Sequence, residues 1–425
     1  MSARFQSLLS AMLAACLLPV AAADNLSSLG VPPYWPDLDE YQRTMTRDEF
    51  LSALETVYSD PLSYKSSMAI GDDHASILRT EGDPTPYQLE FATTGGEIRT
   101  PPRYWRPASS LPPAEPLRPL SELKIAIDPG HIGGEWAKME ERSFQIGEDQ
   151  EIREGELTLI IAEILQQRLE NLGAEVTLVR EKFEPVTAKR PIDFRKDARL
   201  FLLQNGVRNP LDTYLPTDRA NEGRVATIQW QSEKLFYRTS EIRERALRVN
   251  EEIVPDLVLC LHLNAEAWGD PAAPEYVDSN HLHILMNGSY MFGELGNDDV
   301  RFEMVTRLLE RTHDEELRLA THLAPSMAES TGLPPYVYPG QNATPVEGQP
   351  YLYRRNLLAN RTYRCPVIYF EPYVMNNEEV ASRLALGDYL GKTLVGDELR
   401  TSIYQDYVNG VVTGLVSYYS EARPK

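Results

Sequence analysis

Histidine, cysteine and positive charge are all scarce in this sequence. Seven histidines are spread over 425 residues, so a histidine at the end of a strand stands out against a thin background. Lys and Arg number 42 against 63 Asp and Glu, a formal charge of −21. Such a field repels the phosphates of nucleic acid and the headgroups of anionic lipid, which excludes nucleic-acid binding as the main role. Beyond the N-terminus no run approaches the ~20 apolar residues of a spanning helix. No internal repeat is visible. Two of the three cysteines, Cys260 and Cys365, lie in apolar runs. They are expected as buried thiols, although an oxidising compartment would permit them to pair.

The chain does have an apolar start. Arg4 precedes a hydrophobic stretch that ends in small residues before Asp24. This is the pattern of a secretory signal at residues 1–23, preferred over a lipid anchor at Cys16 because "LLPVAAA" runs on past that cysteine. The expected location is outside the cytoplasm, in the periplasm or cell envelope. Residues 24–100 form a first region, a small α+β unit. "TRDEFLSALETVYSD" has helical spacing behind a capping Thr46, and "YQLEFAT" reads as a strand. Residues 101–120 then carry seven prolines in twenty positions. Such a run resists helix and sheet alike and reads as a semi-rigid linker.

From Leu123 the texture is that of an α/β domain, residues 121–425. "LKIAI" and "EVTLVR" are strand-like, and between them "EGELTLIIAEILQQRLENLGA" carries a helical stripe closed by Gly173. Strand, helix and strand make a βαβ unit, hence an open, mostly parallel sheet covered by helices on both faces. "PDLVLCLHLNA", "NHLHILMNG" and "CPVIYFEPY" are further strands, with helices expected at 227–252 and across 300–332.

Three of these strands end on residues suited to metal chemistry: "IAIDPGH" on His131, "LVLCLH" on His262 and "VIYFE" on Glu371. Open α/β sheets bind ligands beyond the carboxyl ends of their strands, so the three are candidates to converge. Glu154 or Glu156, at the start of the long helix, adds a carboxylate. Two imidazoles and a carboxylate form a known zinc set with a fourth position for water, and a further carboxylate can move protons. Strand-end histidines are also common as structural hydrogen-bonding groups. Spacing alone leaves a metal hydrolase and a structural role both open.

Four blocks taken together resemble the zinc-dependent N-acetylmuramoyl-L-alanine amidases, which cut peptidoglycan. They are "IAIDPGHIGG", "IREGELTLIIAEILQQRLENLGAEVTLVR", "RALRVNEEIVPDLVLCLHLNAEA" and "LYRRNLLANRTYRCPVIYFEPYVMNNEE", in that order. The resemblance implies Zn2+ held by His131, Glu154 and His262, with Glu156 a solvated helix residue and Glu371 the general acid/base. It implies hydrolysis of the amide between the lactyl group of N-acetylmuramic acid and L-Ala. Peptidoglycan is then the partner, and an activator protein is a further candidate. A hydrolase of another peptide or amide bond, or a non-catalytic wall-binding protein on the same scaffold, are the rival expectations. Ile132 is a departure: it stands before the glycine pair, so the loop past His131 is built differently.

Residues 182–240 read as an insertion in the catalytic domain, expected as a lid over the site or as a surface elaboration. His281 and His283 share one strand face and are expected to pack or lie at the surface rather than bind metal. The rings of "PPYWPDLDEY" and "PPRYWRP" are expected to pack against proline rather than stack on sugars. Asp128 is expected to serve the turn or orient a ligand.

Overall fold

A computed structural model describes residues 25–215, 222–267 and 274–425. The expected signal at 1–23, with Cys16, lies outside the described residues. In the first region, Thr46 caps α1 (Arg47–Ala53) through a reciprocal box with Glu49. Three short antiparallel strands follow, β1 (Met68–Ile70), β2 (His74–Ile77) and β3 (Tyr87–Glu90).

The main sheet has seven strands: β4 (Lys124–Pro129), β5 (Glu175–Leu178), β6 (Leu257–Leu261), β7 (Leu282–Met286), β8 (Thr344–Val346), β9 (Gln349–Arg354) and β10 (Val367–Pro372). Their order across the sheet is β8-β9-β7-β10-β6-β4-β5. The four strands β5, β4, β6 and β10 run parallel, as does the pair β9 and β7. Only β10 against β7 and β8 against β9 are antiparallel. The central strands are apolar on both sides, as burial on both faces demands: every residue of β6 and β7 is buried.

Side-chain alternation divides the cover. One face (Ile125, Ile127, Leu259, Ile284, Phe370) packs on α2 (Glu154–Asn171), on α6 (Thr312–Thr331) and on α8 (Ile403–Ala422). The long helix expected across 300–332 is two helices, α5 (Asp298–Glu310) and α6. They break at Arg311, which takes φ +56°. The terminal helix α8 and strand β9 carry no strong local signal and emerge only here. The opposite face (Ala126, Val258, Cys260, Val367) packs on a rod we call α4, which spans Ile228–Lys234, Leu235–Ser240, Glu241–Leu247 and Arg248–Ile253. Its second and fourth pieces are wide π turns, which widen the rod on either side of Arg245. Cys260 and Cys365 are both buried free thiols.

The first region is fastened to the rest. Its core, with Trp35, Phe50, Leu54 and Tyr58, is continuous with Met304, Val305 and Leu308 of α5. The backbone of Asn25 and Ser27 donates to Asp298 and Asp299. The proline-rich run is held too: Trp105 and Leu111 are buried, and Arg106 pairs with Asp256 at 2.7 Å. Trp35 and Trp105 are therefore packing residues.

None of the described residues of the 182–240 segment lines the cleft. The segment builds a small core behind the His131 loop instead. Phe194, Ala198 and Leu202 join Phe236 around Ile132, which is 0% exposed. Ile132 thus anchors this segment. Among the described residues no helix is long and apolar enough to cross a membrane.

Candidate functional site

The chain turns at the carboxyl end of β4 under unusual constraint. Gly130 lies directly beneath the His262 ring, and a Cβ there would stand 2.3 Å from Cε1. His131 adopts φ +58°, a left-handed conformation that a non-glycine side chain takes only where surrounding contacts enforce it. Arg245 supplies much of that enforcement. It donates to the carbonyls of Pro129 (2.8 Å) and His131 (2.7 Å) and to the carboxylates of Asp128 and Glu241, both at 2.8 Å. Asp128 also accepts from the Tyr363 hydroxyl at 2.6 Å. The aspartate therefore serves the turn and touches neither imidazole.

Glu154 opens α2 at the far side of the turn. Its Oε2 lies 3.1 Å from His131 Nε2, and its Oε1 lies 3.1 Å from His262 Nδ1. One ligand atom from each of these three residues falls within 4.8 Å of the others. Glu156 is partly exposed and pairs with Arg153 at 3.0 Å, outside the group. His262 follows β6 and stacks on the Tyr369 ring, centroids 4.3 Å apart and planes at 13°. The four side chains named from sequence, Glu371 included, line one cavity of about 420 Å³.

Charge in this cleft is tightly balanced. Burial pushes the Glu154 carboxyl up, but the two flanking imidazoles outweigh burial and hold it well below its usual range. Burial lowers His262. Burial also opposes charge on His131, yet the nearby Glu154 and Glu140 carboxylates raise it. Burial, and then the Glu154 charge, push Glu371 upward; Arg142 and Arg355 pull against that.

Two further residues escaped the sequence reading. Glu140 is buried and accepts from the backbone N–H of Ile132 and Gly133, with an oxygen 3.7 Å from His131 Nδ1. It stands where a second carboxylate commonly orients a ligating imidazole. Arg142 donates from Nε to His131 Nε2 at 3.2 Å and lies 3.6 Å from Glu154. A short hairpin, Ser143–Phe144 against Ile152–Arg153, brings Arg142 beside Glu154. The 182–240 segment steadies this loop at Glu141, which pairs with Arg224 at 2.7 Å. Neither residue sits in a recognisable local pattern; an Arg-Glu-rich loop next to a strand end is an ordinary surface signature.

The donor set fits a divalent ion of the zinc type. It offers two imidazole nitrogens and one carboxylate kept ionised, their ligand atoms within 4.8 Å of one another. A guanidinium already lies against two of the three donors, so the pocket attracts positive charge. His281 and His283 take no part: His281 is 3.1 Å from Glu266 and His283 is 3.0 Å from the Tyr338 hydroxyl.

No protein-family model matches the chain. No curated protein matches it either. Among solved structures it is similar to the N-acetylmuramyl-L-alanine amidase Ami1 from Mycobacterium smegmatis, at 14% identity over 71% of this chain and 98% of that one, with TM-score 0.38. It is similar to the CwlD amidase from Clostridioides difficile, solved with the GerS lipoprotein, at 13% identity, 70% and 98% coverage and TM-score 0.37. AmiC2 of Nostoc punctiforme gives 15%, 70%, 98% and 0.35. At such identity and superposition these likenesses carry no weight for the chemistry, which is read from the chain's own residues.

Proposed function

We propose that this chain is a zinc-dependent N-acetylmuramoyl-L-alanine amidase, which hydrolyses the amide between N-acetylmuramic acid and the L-Ala of the stem peptide. The observation that carries the reading is the meeting of His131, Glu154 and His262 around one point, with Glu371 on the same cavity wall. These residues come from four separate blocks of sequence, each with the pattern of that family.

His131, Glu154 and His262 would hold the ion. When bound, zinc supplies Lewis acidity, which acidifies water and polarises the scissile carbonyl. The chain's own residues do the rest. Glu371 takes a proton from the attacking water and returns it to the amide nitrogen as the C–N bond breaks. The products are the lactyl carboxylate and the free amine of the peptide. Arg142 keeps a positive charge in the cleft where the carbonyl oxygen gains negative charge, the arrangement that lowers such barriers. Glu140 and Arg245 fix the His131 loop, so the site needs little rearrangement when substrate arrives.

The test is metal analysis of the purified chain together with mass spectrometry of digested sacculi. Free stem peptides with intact glycan strands are expected, with about one zinc per chain if the three-residue set holds a single ion. Cleavage within peptides would instead favour a hydrolase of another amide. Binding to sacculi with no released peptide would favour a wall-binding protein. This function requires export to the cell envelope, the role we assign to residues 1–23. A mature protein whose first residue is Met1 would contradict that assignment.

A further inference from the structure

Glu371 borders two cavities. On the β4 and β6 side it faces the His131, Glu154 and His262 group. On the β7 and β9 side it faces a second cavity of about 470 Å³, lined by His283, Tyr336, Tyr338 and Arg355, with Asn264 shared between the two. Strand register makes this so. Glu371 pairs with His283 across β10 and β7, Tyr353 pairs with Leu285 across β9 and β7, and Arg355 follows two residues after Tyr353. Because side chains alternate along a strand, His283, Glu371, Tyr353 and Arg355 all rise from one face. The segment 336–342 closes over them.

The second cavity has a defined chemistry. Its floor is a cluster of rings, the tyrosines meeting edge to face: Tyr336 and Tyr338 centroids lie 4.8 Å apart, Tyr338 and Tyr353 also 4.8 Å, and His283 lies 4.9 Å from Tyr336. The Tyr338 hydroxyl meets His283, and the Tyr353 hydroxyl donates to the Tyr336 carbonyl at 2.8 Å. These bonds lock the rings in place. Arg355 is half-buried and lies over Tyr338, its guanidinium carbon 6.0 Å from the ring centroid. In this acidic chain Arg361 and Arg364, a few residues on, pair with Glu303 and Glu310. Arg355 makes no ion pair among the described residues, and its positive charge reaches Glu371 across the cavity. A guanidinium steadied by an aromatic face and with no salt-bridged acid is arranged to take a carboxylate from outside in bidentate fashion.

We propose that this second cavity is the subsite for the peptide arm of the substrate, and that Arg355 binds a free carboxylate on that arm while Tyr336 and Tyr338 support its backbone. The proposal rests on the amidase reading for the identity of the substrate. An amide held at Glu371 has two arms, and the two flanking cavities give each arm its own place. Only the peptide arm carries several carboxylates.

The experiment is isothermal titration of the zinc-loaded full chain with two synthetic stem tripeptides, one with free carboxylates and one fully amidated. The wild type should prefer the acid form by about tenfold or more, the worth of a charge-assisted pair. Arg355→Gln should bind both forms alike, near the wild-type affinity for the amide, and Arg355→Lys should recover part of the preference. Unchanged preference in Arg355→Gln overturns the proposal. So does a peptide-free glycan oligomer that binds and is lost in Tyr338→Leu while neither tripeptide binds. Circular dichroism of each variant guards against misfolding. If sacculi are cleaved but the tripeptides show no Arg355-dependent difference, this subsite fails and the amidase reading stands. If the Arg355-dependent preference appears and sacculi remain intact, the subsite stands and the assigned reaction fails.

Discussion

Arg142 places its Nε 3.2 Å from His131 Nε2, on the side of the ring that faces Glu154. A cationic side chain thus lies against the donors expected to hold a cation, and the two compete for the same lone pair. Arg142→Met should therefore bind zinc more tightly, by roughly tenfold if one charge-assisted bond is removed. Turnover should nevertheless fall, on the order of 10²-fold, because a positive charge near the developing oxyanion is lost. Calorimetric zinc titration and steady-state rates check the two directions separately.

Removing a ligand and removing the proton carrier should have different consequences. His131→Ala should lose zinc and activity together. Glu371→Gln should keep its zinc and lose about 10²–10⁴-fold in rate. Metal content measured beside turnover separates the two. A Glu371→Gln enzyme with undiminished rate would contradict its role.

Gly130 is required by proximity. The Cβ of Gly130→Ala would stand within 2.5 Å of three atoms of the His262 ring. Because that Cβ would meet a side chain, the ring should move and the sheet should survive. The expected result is a folded protein whose zinc affinity falls at least about tenfold, seen as zinc content against an unchanged circular dichroism spectrum.

Arg245 holds the turn from inside the protein. It is 4% exposed and pairs with Asp128, 5% exposed, and with Glu241. Arg245→Met strands two buried carboxylates, and breaking a buried pair in this way costs about 3–5 kcal/mol. Denaturant unfolding should show that loss. Replacing Asp128 by Asn should cost less, since Arg245 keeps Glu241 and two carbonyls.

Acid should destabilise the fold through histidines held neutral. Burial lowers His283 to about 3 and His313 to about 4. The unfolded chain takes up these protons near pH 6.5, whereas the folded chain resists them. Their contribution is complete above pH 6.5 and declines as pH falls toward the folded values, by ~1.4 kcal/mol per pH unit for each group. Between pH 7.5 and 5.0, His283→Leu should lose about 2 kcal/mol less than the wild type. Equal losses would show that His283 is not held neutral.

Much of the architecture was legible because its signals are local. An apolar run of five or six residues makes a buried strand whatever surrounds it, and the stripe of Glu154–Asn171 specifies a helix that Gly173, at φ +99°, brings to an end. The expected strands β4, β5, β6, β7 and β10 therefore occur in the expected order, whereas β8 and β9 come in between them unannounced. His131, His262 and Glu371 were visible because each closes such a run, and Glu154 because it opens the helix. What the chain alone left open were matters of distance. Glu140 and Arg142 lie in a loop with no periodicity. Arg355 gains its meaning from strand register, which sets it on the same face as Glu371. The expectation for the 182–240 segment is a lid or a surface elaboration; what the chain alone does not reveal is that Ile132 sits in the core its described residues build. Local sequence fixes backbone preference and the direction in which side chains alternate. Which charges meet, which remain unpaired and which ring lies above which glycine depend on tertiary contacts, some of them, such as Gly130 with His262, between residues more than a hundred positions apart, and those exist only once the sheet has formed.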